Sequence, residues 1–181
     1  MRWATALLAT AVATIAAGCA HGPQPHPLAV EINAYRASHG LPPIDWSPAL
    51  AEVAQRHLGD IETGAGVHAR GQCSLHSWSD RGPWRPCCYR DNDPASSRCM
   101  RAKPAQITGG RYSGPGYEIL AYQSRDMDAQ TALTLWRQSP RHHEVILNRG
   151  PWSDHHWRAL GGALSDRHAI LWFGAQPDPD H

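Results

Sequence analysis

Residues 112–148 read YSGPGYEILAYQSRDMDAQTALTLWRQSPRHHEVILN, and this stretch decides the fold. Its first half predicts a strand from Tyr117 to Tyr122, with the acidic residue Glu118 near the strand start. A helical segment follows, and after a Ser-Pro break comes a histidine pair, His142 and His143. An acid on a strand and histidines beyond a helix can therefore meet at one site although they are distant in the sequence.

These residues resemble the CAP superfamily of cysteine-rich secretory, antigen 5 and pathogenesis-related proteins, and in particular its bacterial branch. The family's Gly-x-Glu-Asn-Ile block is similar to residues 116–120 (GYEIL), and its bacterial Trp-x-x-Ser-Pro-Gly-His-Arg block is similar to residues 136–143 (WRQSPRHH). The resemblance covers nearly all of the mature chain. It implies an α+β fold, a three-layer α-β-α sandwich with a mainly antiparallel central sheet.

The remaining periodic segments agree with such a sandwich. A first helix is predicted from about Leu28 to His39, and a second begins after the N-cap Ser47 and ends at Gly64. Two apolar runs, residues 157–164 and 168–174, predict the last strands. Asn33 and Arg36 match the family's Asn-x-x-Arg block, and we expect them to tie the first helix to neighbouring backbone.

Between Gly64 and Gly116 the sequence loses its periodicity and predicts a long, stapled connection. This segment holds four of the five cysteines, Cys73, Cys87, Cys88 and Cys99, which predict two disulfides. A bond between the adjacent Cys87 and Cys88 would strain a very small ring, so we expect Cys73 to pair with one of them and Cys99 with the other. A four-cysteine zinc site is the competing interpretation, but the adjacent pair lacks the usual spacer.

The N-terminus predicts export. Residues 1–18 combine Arg2, a short apolar run and small residues, which is typical of a signal peptide. Ala16-Ala17-Gly18-Cys19 resembles a lipobox, in which Cys19 carries the lipid, and cleavage near Ala20 to release a free protein is the alternative. Residues 19–27 then form a tether, 28–175 the domain and 176–181 a polar tail.

Composition limits the partners. The chain has 181 residues, enough for one domain, and its formal net charge of +1 gives no footprint of a nucleic-acid binder. We expect a monomer at the periplasmic face of the envelope or the outer membrane, or a secreted protein, with a membrane contact made only through the lipid.

The resemblance implies a cleft lined by His76, Trp78, Glu118, His142 and His143. Three of these, His76, Glu118 and His142, are candidates for catalysis and for a weakly bound divalent metal such as zinc. Ser139 stands where eukaryotic members have a second glutamate, and Glu144 could replace that residue only if its turn points inward.

Three further histidines are not predicted to bind a ligand or a metal. His57 lies near the apolar stripe of the second helix, where a packed core histidine is commoner than a ligand. His155 and His156 are expected on the surface, because adjacent side chains diverge.

The sequence lacks the Gly-x-Ser-x-Gly, His-Glu-x-x-His and glycine-rich phosphate motifs of standard hydrolases and nucleotide enzymes. It favours an exported CAP-like protein, an envelope lipoprotein, that binds a small apolar or cell-wall ligand without demonstrated catalysis. A metal-dependent hydrolase and a protein that acts on a host or competitor partner are the alternatives.

Overall fold

The computed structural model describes residues 25–63, 73–91 and 93–179, so the predicted signal peptide and Cys19 lie outside the described residues. The chain forms five α-helices and three strands within these ranges. In chain order they are α1 Pro27–Ala37, α2 Pro48–Glu62, α3 Pro94–Ile107, β1 Gly116–Tyr122, α4 Ala129–Gln138, α5 Pro140–Ile146, β2 Ala159–Leu164 and β3 His168–Gly174. A 3₁₀ turn, Gly150–Trp152, precedes β2. Among the described helices, none has the length and apolar character needed to cross a membrane.

The central sheet is antiparallel, with the strand order β1-β3-β2. Every residue of β3 is buried, as its continuously apolar sequence predicts for a strand covered on both faces. Glu118 on β1 stands opposite Trp172 on β3. The sheet thus holds this acid in the centre of the protein, and only side-chain partners can satisfy it there.

Helices cover both faces of the sheet. One apolar core joins α1, α4 and α5 to the sheet, and a second joins α2 and α3 to the opposite face. Gly161 permits the close approach of α2, because a Cβ atom at this position would lie 2.2 Å from the backbone nitrogen of Ala51. The three-layer α-β-α sandwich with an antiparallel sheet is therefore confirmed.

The long connection from Gly64 to Gly116 is more regular than predicted, because it contains the fourteen-residue helix α3. Asp93 caps this helix by accepting a hydrogen bond from the amide of Ala95 (2.9 Å). Of its side chains, only Ser96, Met100, Lys103 and Pro104 are buried, and a helix with so few apolar contacts shows no hydrophobic period in its sequence.

Two disulfides staple this region. Cys73 bonds to Cys88 and Cys87 bonds to Cys99, which confirms the expected pairing of the adjacent cysteines with different partners. The first bond fixes the loop that carries His76, and the second ties the same loop to α3. The loop that carries His76 and the helix α3 are therefore covalently linked.

Asn33 and Arg36 tie α1 to its surroundings, as predicted. The side chain of Asn33 exchanges two hydrogen bonds with the backbone of Ile44, each 2.9 Å long. Arg36 is buried, and its guanidinium donates to the carbonyl oxygen of Ile146 (2.6 Å) and to Oδ1 of Asn148 (2.7 Å). Arg36 thereby fixes the end of α5, the helix that carries His142.

One residue near each predicted domain boundary packs against the domain. His26 caps α1 and stacks on Trp46 with the ring centroids 4.4 Å apart, so the tether ends before this residue. Asp178 is buried and accepts hydrogen bonds from the hydroxyl of Ser47 and from the amide of Ala49. Its carboxylate completes the N-terminal cap of α2, so the segment predicted as a polar tail contacts the domain at this residue.

Candidate functional site

A cleft of about 600 Å³ opens beside the His76 loop. Its walls come from that loop, α3, β1, α5 and the segment around the 3₁₀ turn. The lining residues are His76, Tyr89, Asp91, Ser97, Met100, Arg101, Tyr117, Glu118, Arg141, His142, Glu144, Val145, Pro151, Trp152 and His155. The structure therefore brings together His76, Glu118 and His142, the three residues singled out in the sequence.

Glu118 is clamped between two imidazoles. Its side chain is fully buried, with Oε1 2.5 Å from Nδ1 of His57 and Oε2 2.7 Å from Nδ1 of His76. Burial alone would raise the pKa of Glu118. The charge and hydrogen bond of His57, and then the hydrogen bond of His76, outweigh burial and lower the pKa to about 2, so the carboxylate is ionised at neutral pH.

The hydrogen-bond partners of His57 show which of its ring nitrogens carry protons. Its Nε2 lies 3.0 Å from the carbonyl oxygen of Ser77, which can only accept, so Nε2 carries a proton. Its Nδ1 faces an ionised carboxylate, which also can only accept. His57 is therefore a buried imidazolium that neutralises Glu118, and it was missed as a site residue because its partner lies 61 positions away in the sequence.

His76 receives a defined tautomer from the same carboxylate. Nδ1 carries the proton that it donates to Glu118, so in the neutral ring Nε2 holds the lone pair that a ligand in the cleft can use. The ring of His142 lies 6.2 Å from that of His76, centroid to centroid. Burial is the largest of the causes that lower the pKa of His142 to about 4, so the His142 imidazole is neutral at pH 7.

The predicted metal site does not fit this geometry. Among the described residues, no group of three His, Cys, Asp or Glu side chains could hold a metal ion. The physical reason is that Glu118 is fully buried and each of its oxygens already accepts a hydrogen bond from an imidazole nitrogen. Glu118 instead orients His76.

Two predicted cleft residues lie elsewhere. Trp78 is fully buried and stacks on His57 at 4.3 Å between ring centroids, so it supports the site from behind and does not line the cleft. His143 points toward α1, where its Nε2 lies 2.8 Å from the hydroxyl of Tyr35. Successive positions on a helix face different directions, and only His142 of the pair can reach the cleft.

His155 lines the cleft, and its expected surface position is wrong. Its ring packs on Tyr117 (5.4 Å) and Trp152 (5.1 Å), and these two rings contact each other at 5.0 Å. We call Tyr117, Trp152 and His155 the aromatic wall. The neighbouring His156 is exposed, as expected.

Glu144 also lines the cleft, which answers the question left open by the sequence. A Cβ atom added to Gly150 would lie 3.1 Å from the carboxylate of Glu144. Gly150 itself has a φ of +53°. Glycine adopts this left-handed conformation without strain, so the chain can turn beside Glu144 with no Cβ atom to displace the Glu144 carboxylate. Ser139, which stands at the family's glutamate position, is not part of the lining.

The chain belongs to the CAP family. The family model for the cysteine-rich secretory protein family matches residues 30–151, and this range includes His57, His76, Glu118 and His142. Among curated protein sequences, none matches the chain.

Three solved structures share the fold at low sequence identity. An extracellular protein of Bacillus anthracis containing an SCP domain has a TM-score of 0.56 and 20% identity over 82% of this chain and 39% of its own. A cysteine-rich secretory protein of Staphylococcus aureus has a TM-score of 0.51 and 17% identity over 82% of this chain and 37% of its own. An outer surface protein of Borrelia burgdorferi has a TM-score of 0.50 and 20% identity over 81% of this chain and 88% of its own. The chain thus spans less than two fifths of the first two proteins.

Proposed function

We propose that this chain is an exported bacterial envelope protein that binds a small ligand in the cleft between α3 and α5 and performs no chemistry of its own. Export is supported by the two disulfides, which persist in oxidising compartments, and by structural neighbours described as extracellular and outer surface proteins. A lipid on Cys19 would anchor the domain to the membrane.

One observation carries the binding proposal. His76 and His142 present imidazoles to a cleft of about 600 Å³, a size suited to a small molecule. Their orientation is fixed in advance, since Glu118 holds His76 and the buried end of α5 holds the backbone of His142. Preorganised polar groups beside the apolar surfaces of Met100 and Val145 favour binding, because little conformational entropy is lost when the ligand enters.

The same geometry favours hydrolysis as a second candidate function. Glu118 and His76 form a carboxylate–imidazole pair in which Nε2 could accept a proton from an attacking water. We propose that any such activity is independent of metal, because the described residues do not fit one. The hydrolysis of p-nitrophenyl acetate tests this idea: it should survive EDTA and be lost in His76→Gln, and activity that needs added zinc would contradict it.

Ligand binding is tested by nuclear magnetic resonance on the exported, processed protein labelled with ¹⁵N. The probes are soluble muropeptides from a lysozyme digest of cell wall and, separately, palmitate. We expect one of them to shift the amide signals of Tyr117 and His142 saturably, and to shift them much less in His142→Phe. His143→Phe is the matched control, because the neighbouring ring lies outside the cleft. The absence of shifts with both probes would refute the proposal.

The lipid anchor has its own test. Intact-mass measurement of protein expressed in a bacterial host should show a diacylated or triacylated N-terminal Cys19, and Cys19→Ala should abolish this mass. A wild-type product that begins after Ala20 would show a freely released protein.

A further inference from the structure

Most charges around the cleft are already neutralised within the protein. Arg141 forms an ion pair with Asp91 (3.0 Å), and Glu118 is balanced by His57. Among residues 25–63, 73–91 and 93–179, no ion pair or side-chain hydrogen bond involves the two other charged lining residues, Arg101 on α3 and Glu144 on α5. Within these residues, the cleft therefore offers one free cation, on α3, and one free anion, on α5.

The aromatic wall supplies an apolar surface in the same cleft. Trp152 is partly buried and packs on Tyr117, and both rings contact Trp157 behind them at 5.7 and 5.4 Å. The ring contacts hold Trp152 in place before a ligand arrives. Such a surface suits the C–H face of a pyranose ring, which is apolar, while the edges of the ring carry hydroxyl groups that need polar partners.

His155 adds a directed hydrogen-bond donor to the wall. Its Nδ1 is buried and has no hydrogen-bond partner among the described residues. A buried N–H without an acceptor is costlier than an unused lone pair, so the ring proton belongs on Nε2, the nitrogen left to face the cleft. Nε2–H can then donate to a sugar hydroxyl oxygen, and the Glu144 carboxylate can accept from another hydroxyl.

We propose that the ligand of this cleft is a sugar ring that carries a carboxylate, with the ring stacked on Trp152 and the carboxylate bound by Arg101. The inference rests on the proposed function, that the cleft binds a small ligand. Arginine fits it because the planar guanidinium pairs with a carboxylate through two parallel hydrogen bonds. Muramic acid of the cell wall and uronic acids of extracellular polysaccharides share this chemistry.

Two pairs of sugars test the proposal on the exported protein by NMR titration. N-acetylmuramic acid differs from N-acetylglucosamine by a lactyl carboxylate, and glucuronic acid differs from glucose by oxidation of one carbon. We expect the acid of at least one pair to bind about tenfold more tightly than its neutral partner, because hydrogen bonds to charged groups are the stronger ones. The pair that shows the preference identifies the source of the ligand.

Substitutions show which residues cause the preference for the acidic sugar. Arg101→Gln should remove the preference for the acid, whereas Arg98→Gln should retain it, because Arg98 is a residue of the same helix outside the lining. Trp152→Ala should weaken the binding of acidic and neutral sugars alike by about tenfold. Trp152→Phe, which keeps an aromatic face, should restore most of this loss.

Two outcomes would overturn the inference. One is equal affinity for the acid and its neutral partner in both pairs. The other is an acid preference that persists in Arg101→Gln. If palmitate shifts the cleft signals while every sugar fails, the ligand class is wrong and the proposed binding function stands. If muropeptides and palmitate also leave the cleft signals unshifted, the proposed ligand class and the proposed binding function are both wrong.

Discussion

Replacing Glu118 by glutamine should remove about 3 kcal/mol of folding free energy at pH 7. The pKa of Glu118 falls from 4.5 to about 2 in the folded protein, and each pKa unit is equivalent to about 1.4 kcal/mol. The ionised side chain therefore contributes about 3 kcal/mol, which is of the size expected when one partner of a buried ion pair is deleted. Glutamine has no charge to balance the imidazolium of His57.

The pH dependence has a definite sign. Because the folded pKa lies below the unfolded one, the unfolded chain binds more protons between pH 4.5 and 2. The contribution of Glu118 is thus fully present above pH 4.5 and is lost progressively as the pH falls toward 2. The stability of Glu118→Gln should be nearly independent of this titration, so the two proteins should converge at low pH.

Urea unfolding followed by tryptophan fluorescence measures this difference, with the disulfides intact, at several values between about pH 7 and 2.5. Glu31→Gln is the control, because Glu31 is partly exposed on α1 and its loss should change stability by less than about 0.5 kcal/mol. A stability difference between wild type and Glu118→Gln that stays constant across this pH range would refute the ion-pair reasoning.

Three further predictions concern the disulfide, the second cleft histidine and metal. Replacing Cys73 and Cys88 together by serine opens a bond with a sequence separation of 15 and should lower the free energy of unfolding in urea by about 3 kcal/mol; an unchanged midpoint would contradict this. His142→Gln should lessen the loss of stability between pH 6.5 and 4, since the lowered pKa of His142 lets the unfolded chain take up that proton first; identical slopes in the two proteins would count against it. Calorimetric titration with zinc should give no saturable heat, because Glu118 is buried and both of its oxygens already accept hydrogen bonds; saturable binding that disappears in His142→Ala would restore the metal site.

The fold could be predicted because most of its helices and strands are specified by residues that lie close together in the sequence. The Ser47-Pro48 start of α2, the Asp128 cap of α4 and the continuously apolar β3 each depend on neighbours in the sequence. Helix α3 lacks such a signal, since only four of its side chains are buried and its stability comes from packing and a disulfide. Sequence periodicity cannot reveal a helix of this kind.

The site was predicted only in part because its chemistry depends on contacts between distant residues. Family motifs identified His76, Glu118 and His142 as members of one cleft. They did not reveal that His57 would occupy one oxygen of Glu118, which turns an expected metal ligand into a buried anchor for imidazoles. The inward position of His155 likewise depends on a packing contact with Tyr117, a residue of a different element far earlier in the chain.

The protonation of the histidine rings is the most direct test of this site. Long-range ¹H–¹⁵N spectra at about pH 7 separate protonated from unprotonated ring nitrogens. We predict protons on both nitrogens of His57, a proton on Nδ1 of His76 and a neutral ring for His142. A His76 that carries its only ring proton on Nε2 would contradict the claim that Glu118 orients His76, and a neutral His57 would contradict the ion pair with Glu118.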